Sequence, residues 1–334
     1  MISILSFVFK LISSIRNYLY DNNFLSINSI NIPIISIGNL ELGGTGKTPT
    51  VLFLAKSLLK NHYKPGIVSR GYKRSSSGQQ LVTDGKKIFL SVEEAGDEPF
   101  LLAQNLKNIP IVVNKDRFAA SNYLKSNFNV NVIVLDDAFQ HRKIKRDIDI
   151  LLINTNTPLK NLTLFPKGVL RESFVNYKRA SVLLFCNKIK SNDKSINDFY
   201  NRINFKNKFS CSFIFNLYCT KSLSHLEPKT ISENVFAFCG IGNPNSFFKT
   251  LQRMNIKLKV FKAFKDHQQY SKKIVNNLID AIKRNNICYI ITTEKDYIKL
   301  PNFFTAKFRV IILKLALNSN VNFEKYIIKK LSSL

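Results

Sequence analysis

Residues 33–49 read PIISIGNLELGGTGKTP. An apolar, β-branched run, Pro33–Ile37, predicts a buried strand; the glycines that follow break it, and from Lys47 onward the apolar spacing is helical. Strand, glycine loop, Gly-Lys-Thr and helix in that order make a phosphate cradle. The loop's backbone amides converge on phosphate oxygens, the lysine reaches the outer phosphates, and the threonine hydroxyl can ligate a divalent cation. The nucleotide-binding residues read from this stretch are Gly43, Gly44, Thr45, Gly46, Lys47 and Thr48. The strict pattern GxxxxGK[ST] wants glycine at 41, where Glu41 stands, and the nearest upstream glycine is Gly38. A plain glycine turn before an ordinary helix would not require the same order of elements.

Outward from this loop, short β-rich runs alternate with helical stretches, the pattern of a doubly wound α/β domain. Strands are predicted at Pro33–Ile37, Pro65–Ser69, Ile111–Val113, Val132–Asp136, Ile148–Ile153 and Ser181–Cys186, with helices starting near Lys47, Glu98 and Arg117. The Lys-, Asn- and Ser-rich stretch Lys188–Lys208 reads as a handover between domains. A second α/β unit follows, with strands Val235–Cys239, Cys288–Thr292 and Arg309–Leu313, a helix after the first of them and another at Ser271–Arg284. The expected organisation is an N-terminal helix at 1–25, a P-loop domain at 26–205 and a smaller α/β domain at 206–334.

Two further segments carry carboxylates. Val132–Asp137 is an apolar strand ending in Asp136 and Asp137, placed to hold Mg2+ beside a phosphate loop directly or through water. Gly96-Asp97-Glu98-Pro99 leads into a helix, and its commonest explanation is a helix start with Asp97 as cap and Pro99 in the first turn.

Residues 2–19 are mostly apolar, yet Ser3, Ser6, Lys10, Ser13 and Asn17 recur every three or four positions as a narrow polar stripe. Lys10 and Arg16 interrupt the run, which favours an amphipathic helix lying in one leaflet over one that spans. Packing on the domain is the competing reading. A signal peptide is disfavoured by the lack of a basic n-region and of a small-residue cleavage pattern. The formal charge of +28 comes largely from lysine, 38 Lys against 12 Arg, scattered along the chain. No aromatic–basic module accompanies it, which argues against a nucleic-acid binder. Five widely spaced cysteines without a CxxC pair suggest neither a disulfide framework nor a zinc site.

Read together, GNLELGGTGKTP at 38–49, SRGYK at 69–73, GDEP at 96–99, LDDAFQHR at 135–142, GVLRE at 168–172, GIGNP at 240–244, KDHQQY at 265–270 and TEKD at 293–296 resemble, in order, the successive signatures of the tetraacyldisaccharide 4'-kinases. Eight blocks in register over roughly 38–296 are specific. Two departures stand out: the family's GPLRE is Gly168-Val169-Leu170-Arg171-Glu172 here, and its tandem histidine is replaced by Gln268.

The resemblance implies a P-loop NTPase-like doubly wound domain and transfer of the ATP γ-phosphoryl group, with Mg2+, to the 4'-hydroxyl of a lipid A disaccharide precursor. It maps a catalytic dyad onto Asp97 and His267, with either member as the base, in a cleft between the domains. Thr48, Asp136, Asp137 and Glu172 become candidate metal ligands, and Gln140 and His141 candidates for positioning nucleotide or acceptor. Arg70, Arg117 and Arg171 become candidate phosphate contacts, as suits a guanidinium fork. The expected setting is peripheral, on the cytoplasmic face of the bacterial inner membrane, with no nucleic acid and no obligate protein partner. A GTPase would want an Asn-Lys-x-Asp segment, and Asn187-Lys188-Ile189-Lys190 lacks the aspartate. A lipid-independent P-loop ATPase is the remaining rival.

Overall fold

Every residue of the strand β1 (Ile34–Asn39) is buried, as a parallel strand covered on both faces must be. It belongs to a computed structural model that describes residues 2–187, 194–222, 224–231, 234–319 and 321–334. Lys188, Ile189 and Lys190, on which the guanine-recognition comparison rests, lie outside the described residues. The chain divides into two compact units, one comprising residues up to Phe213 together with Leu317–Leu334, the other Ile214–Ala316.

In chain order, the first unit holds α1 (Ile2–Asp21), β1, α2 (Lys47–Lys60), β2 (Pro65–Ser69), β3 (Gln80–Thr83), α3 (Val92–Ala95), α4 (Asp97–Asn105), β4 (Ile111–Val113), α5 (Arg117–Asn127), β5 (Val132–Asp136), β6 (Ile148–Asn154), β7 (Val182–Asn187), α6 (Lys194–Asn201) and the first half of β8 (Lys208–Cys219). The sheet runs β8-β7-β6-β1-β5-β2-β4-β3. All neighbours are parallel except the edge pair β3–β4, so the sheet is mixed. Because β1 lies between β5 and β6, its carboxyl end opens where the connections diverge to either side, the usual position of a ligand crevice in such sheets.

The second unit holds β9 (Ser224–Leu226), β10 (Val235–Cys239), α7 (Pro244–Arg253), β11 (Leu258–Ala263), α8 (Lys272–Arg284), β12 (Tyr289–Thr293), α9 (Glu294–Tyr297), α10 (Asn302–Lys307) and most of β13 (Val310–Ser319). Its parallel strands run β11-β10-β12-β13. The period of two along β10 divides its core. Val235, Ala237 and Cys239 pack with Phe247 and Leu251 of α7, whereas Phe236 and Phe238 pack with Val275, Leu278 and Ile282 of α8.

The last helix, α11 (Val321–Ser332), belongs to the first unit rather than to the 206–334 segment expected from sequence. Phe323, Ile327 and Leu331 are buried along one face. Phe323 stacks on Phe53 of α2 and meets Phe209 of β8 edge-on, while Ser57 of α2 donates to Glu324 at 2.6 Å.

The N-terminal helix turns part of its polar stripe inward, while Ser3 and Lys10 stay exposed. Ser6 and Asn17 are its buried residues. Ser6 Oγ donates to the Leu164 carbonyl and accepts from Lys167 N–H, Asn17 Nδ2 donates to Glu172, and Arg142 reaches the Asn17 carbonyl and Asp21. The opposite face is apolar and exposed: Ile4 at 67%, Phe7 at 64% and Leu11 at 52%. By length and composition α1 could cross a membrane. The reading of a helix packed on the domain holds for the face that carries Ser6 and Asn17; the other face is left apolar and exposed.

Candidate active site

The glycine loop leaves the carboxyl end of β1 and enters α2 through Gly46, which has a left-handed backbone (φ 98°) and offers no side-chain cap. The first amides of α2 are therefore not satisfied by a cap, and such a helix N-terminus suits an anion. A Cβ at position 46 would lie 2.1 Å from the Phe213 ring, and one at Gly38 would lie 2.6 Å from Phe139 Cβ. Glycine at each site is thus required by close approach.

Glu41 occupies the place of the motif's missing glycine as an anchor. It is buried, its carboxylate accepts from Thr157 at 2.5 Å, and its backbone bridges Leu170. Leu42 N–H donates to the Val169 carbonyl and Arg171 N–H to the Leu40 carbonyl. The loop is thereby zipped to the GVLRE segment, which carries Arg171 to Asp137 beside it. Asn39, fully buried, holds the loop from beneath: its Nδ2 donates to the Glu41 carbonyl and to Thr45 Oγ1, and its Oδ1 accepts from Lys47 Nζ at 3.2 Å.

Carboxylates and cations meet at this loop. Lys47 Nζ is 3.6 Å from Asp137, and Arg171 places one nitrogen 3.0 Å from each Asp137 oxygen. Burial pulls the Lys47 pKa down, only partly offset by Asp137. For Asp137, burial acts upward, but Lys47 and Arg171 outweigh it and hold the carboxyl below its ordinary range. Asp136 behaves oppositely. Burial, then the charges of Asp137 and Glu98, push it up to about 6, although Ser69 Oγ donates to it at 3.1 Å. Glu98 acts on both Lys47 and Asp136, which brings the start of α4 to the loop. Beside these, Arg117 is buried and pushed down to about 10, first by burial and then by Arg70. Two neighbouring guanidiniums in such a place suit an incoming polyanion.

The comparisons decide the family. A family model described as LpxK, the tetraacyldisaccharide-1-P 4'-kinase, matches residues 1–332. Relatives named tetraacyldisaccharide 4'-kinase include those of Desulfotalea psychrophila, 35% identical over 307 residues (90% of this chain, 88% of the relative), and Aquifex aeolicus, 36% identical over 312 residues (91% and 92%). The chain also resembles the crystal structure of LpxK from Aquifex aeolicus in complex with ATP, with TM-score 0.77 and 31% identity, covering 98% of this chain and 97% of that one. The chain belongs to the tetraacyldisaccharide 4'-kinase family.

The remaining residues that the kinase resemblance singles out fall as follows. Asp97 is buried at the first position of α4, and the cap is Gly96, with φ 89°; the capping explanation for Asp97 therefore does not hold. His267, half-buried in the second unit, has a left-handed backbone (φ 62°), donates its N–H to the Gly240 carbonyl and lies 4.0 Å from Asp266. Thr48 is buried in the first turn of α2, and Gly43 and Gly44 form the exposed tip of the loop.

Glu172 is committed elsewhere than to a metal. Both oxygens accept from Arg179, at 2.8 and 2.9 Å, and Gln140, Asn17 and Asn176 complete its shell. Burial would raise its pKa, but these partners outweigh it and hold it low. Gln140 Nε2 also donates to the Asn39 carbonyl at 2.9 Å, so Gln140 supports the loop from below. His141 is pushed down to about 4 by burial and by Arg117, and its buried Nε2 has no hydrogen-bond partner among the described residues. Asn39, Ser69 and Glu98 also meet this cluster, although no sequence motif singled them out by role.

Proposed function

We propose that this chain transfers the γ-phosphoryl group of ATP to the 4'-hydroxyl of a tetraacyl glucosamine disaccharide 1-phosphate, a step of lipid A biosynthesis. The observation that carries the reading is the uncapped glycine loop with Lys47, Asp137 and Arg171 in one ion-paired cluster above it, in a chain matched to the kinase family over residues 1–332. Lys47 and the loop amides hold the β- and γ-phosphates. Arg171, released from Asp137 in part, and Arg117 with Arg70 face phosphate charge of nucleotide or acceptor. Asp97 takes the proton of the attacking 4'-hydroxyl as the bond to Pγ forms and the bridging bond to the β-phosphate breaks, and His267 is the dyad partner that orients it.

The donor set fits Mg2+. It consists of hard oxygens, Thr48 with Asp136 and Asp137. No group of three His, Cys, Asp or Glu poised for a metal exists among the described residues, and Mg2+ does not need one, because it takes one or two carboxylates together with substrate phosphates. When bound, it would neutralise charge building on the phosphate oxygens. Glu172 is better assigned to support.

The exposed apolar face of α1 supports attachment to a membrane surface, where a tetraacylated acceptor must stay. Since Ser6, Arg16 and Asn17 tie the helix to residues 164, 167, 140 and 172, the helix serves as a peripheral anchor at the cytoplasmic leaflet. The test is transfer of labelled γ-phosphate to detergent-dispersed tetraacyl disaccharide 1-phosphate, with Lys47→Ala and Asp97→Ala. Each should lower kcat/KM by roughly two orders of magnitude or more, about 3 kcal/mol. ATP turnover indifferent to the lipid would favour a lipid-independent ATPase instead.

A further inference from the structure

A buried line of polar side chains joins the N-terminal helix to the phosphate loop. Asn17 Nδ2 donates to Glu172 Oε2 at 3.0 Å. Gln140 Nε2 donates to Glu172 Oε1 at 3.0 Å and, with its second hydrogen, to the Asn39 carbonyl at 2.9 Å. Asn39 then grips Thr45, the Glu41 carbonyl and Lys47. Asn17, Glu172 and Asn39 are at most 8% exposed. Arg16, one residue earlier on α1, donates to the Gln140 carbonyl. Gln140 is thus held at both its backbone and its side chain by what α1 supplies or shares.

We infer that α1 positions the phosphate loop through Asn17, Glu172, Gln140 and Asn39, so that this one line of contacts, rather than the anchoring of the helix elsewhere, sets the affinity for ATP. The inference rests on the assignment of the loop to ATP binding. The hydrogen-bonding roles along the line leave little freedom. Both hydrogens of the Gln140 amide are committed, and Asn39 uses its donor and its acceptor end on different parts of the loop, so its amide can point only one way. A shift of Gln140 either leaves the buried Asn39 carbonyl unpaired or moves the end of β1, and with it Lys47. Loss of Asn17 need not unfold the protein, because Glu172 keeps its paired contact with Arg179 and its bond from Asn176, and no buried charge is left uncompensated.

These residues are positioning residues, and the test reads nucleotide affinity in full-length protein in detergent, without acceptor lipid. Asn17→Ala and Gln140→Ala should each raise the Kd for Mg-ATP about fivefold, at the low end of site-to-site couplings. In assays with acceptor the KM for ATP should rise with kcat held. The double variant should bind no more weakly than either single one, since both cut the same line. Arg16→Ala, at an exposed residue, should move Kd in the same direction and guards against a folding defect at position 17. Ser6→Ala loosens the same helix at its anchor on residues 164 and 167 and should leave Kd unchanged.

A multiplied effect in the double variant, an unchanged Kd in Asn17→Ala, or an equal loss in Ser6→Ala would overturn the inference. Lys47→Ala supplies the separate check: normal ATP binding in that variant would sink the loop assignment itself, and the inference with it.

Discussion

Gly46 has two reasons to be glycine that act together. Its φ of 98° is strained for any L side chain, and the Phe213 ring stands 2.1 Å from where a Cβ would be. Gly46→Ala is therefore expected to abolish measurable ATP binding, with far less effect on thermal stability; calorimetric titration beside a melting curve separates the two. Asp136 gives a prediction in pH. Its folded pKa, about 6, lies above the ordinary aspartate value near 4. Between about pH 4 and 6 the native state keeps a proton that the unfolded chain has released, so this group costs stability as pH rises through that window. Asp136→Asn should accordingly stabilise the ligand-free protein by about 3 kcal/mol well above pH 6 and hardly at all at pH 4, while losing activity; denaturant melts at the two pH values check this. Lys47 and Thr48 were legible because their motif is contiguous. Asn39, Ser69 and Glu98 were not, since an asparagine at a strand end or a glutamate in a first helical turn gains its role only from packing against β5 and the loop. Glu172 read as a metal ligand for the same reason: Arg179 and Asn17, which occupy it, lie in other elements.

Among the elements, α1 shows how far periodicity alone reaches. Ser3, Ser6, Lys10, Ser13 and Asn17 define a stripe, but the pattern does not say whether protein or water meets it, and here the protein takes Ser6 and Asn17 and leaves Ser3 and Lys10 to water. Phe7 and Leu11, on the opposite face, make no use of the buried line below. Phe7→Lys combined with Leu11→Lys should cut co-sedimentation with anionic lipid vesicles more than tenfold, as removal of roughly 1.5–3 kcal/mol of burial per side chain implies, while ATP affinity stays unchanged. Equal sedimentation of variant and parent would show that this face is not the anchor. The predicted strands of the first sheet were found within a residue or two because each is a continuous apolar run. Two strands of that sheet went unpredicted, as did β9 and β11 of the second unit. In β8, Phe209, Cys211 and Phe213 alternate with lysine and serine, and the apolar run Phe213–Phe215 is only three residues long, so the strand's start merges with the lysine-rich handover. β3, an edge strand of four residues, is too short to register.

For the molecule as a whole, the division of the chain depends on α11. The spacing of Phe323, Ile327 and Leu331 announces a buried face, but nothing local says which core receives it, and proximity in sequence pointed to the wrong one. Phe323 is fully buried between Phe53 and Phe209, and Phe323→Ala should cost about 3–5 kcal/mol in urea unfolding followed by a probe in the first unit; a cost below 1 kcal/mol would mean that α11 is not part of that core. The same connection has a consequence during synthesis. The groove between α2 and β8 waits for a segment that leaves the ribosome only after all of Ile214–Ala316, a delay of about 10 s at ordinary elongation rates. Meanwhile Phe53 and Phe209 stand uncovered on a nascent chain whose first helix already presents an apolar face. The first unit, though it starts first, is the last to be closed.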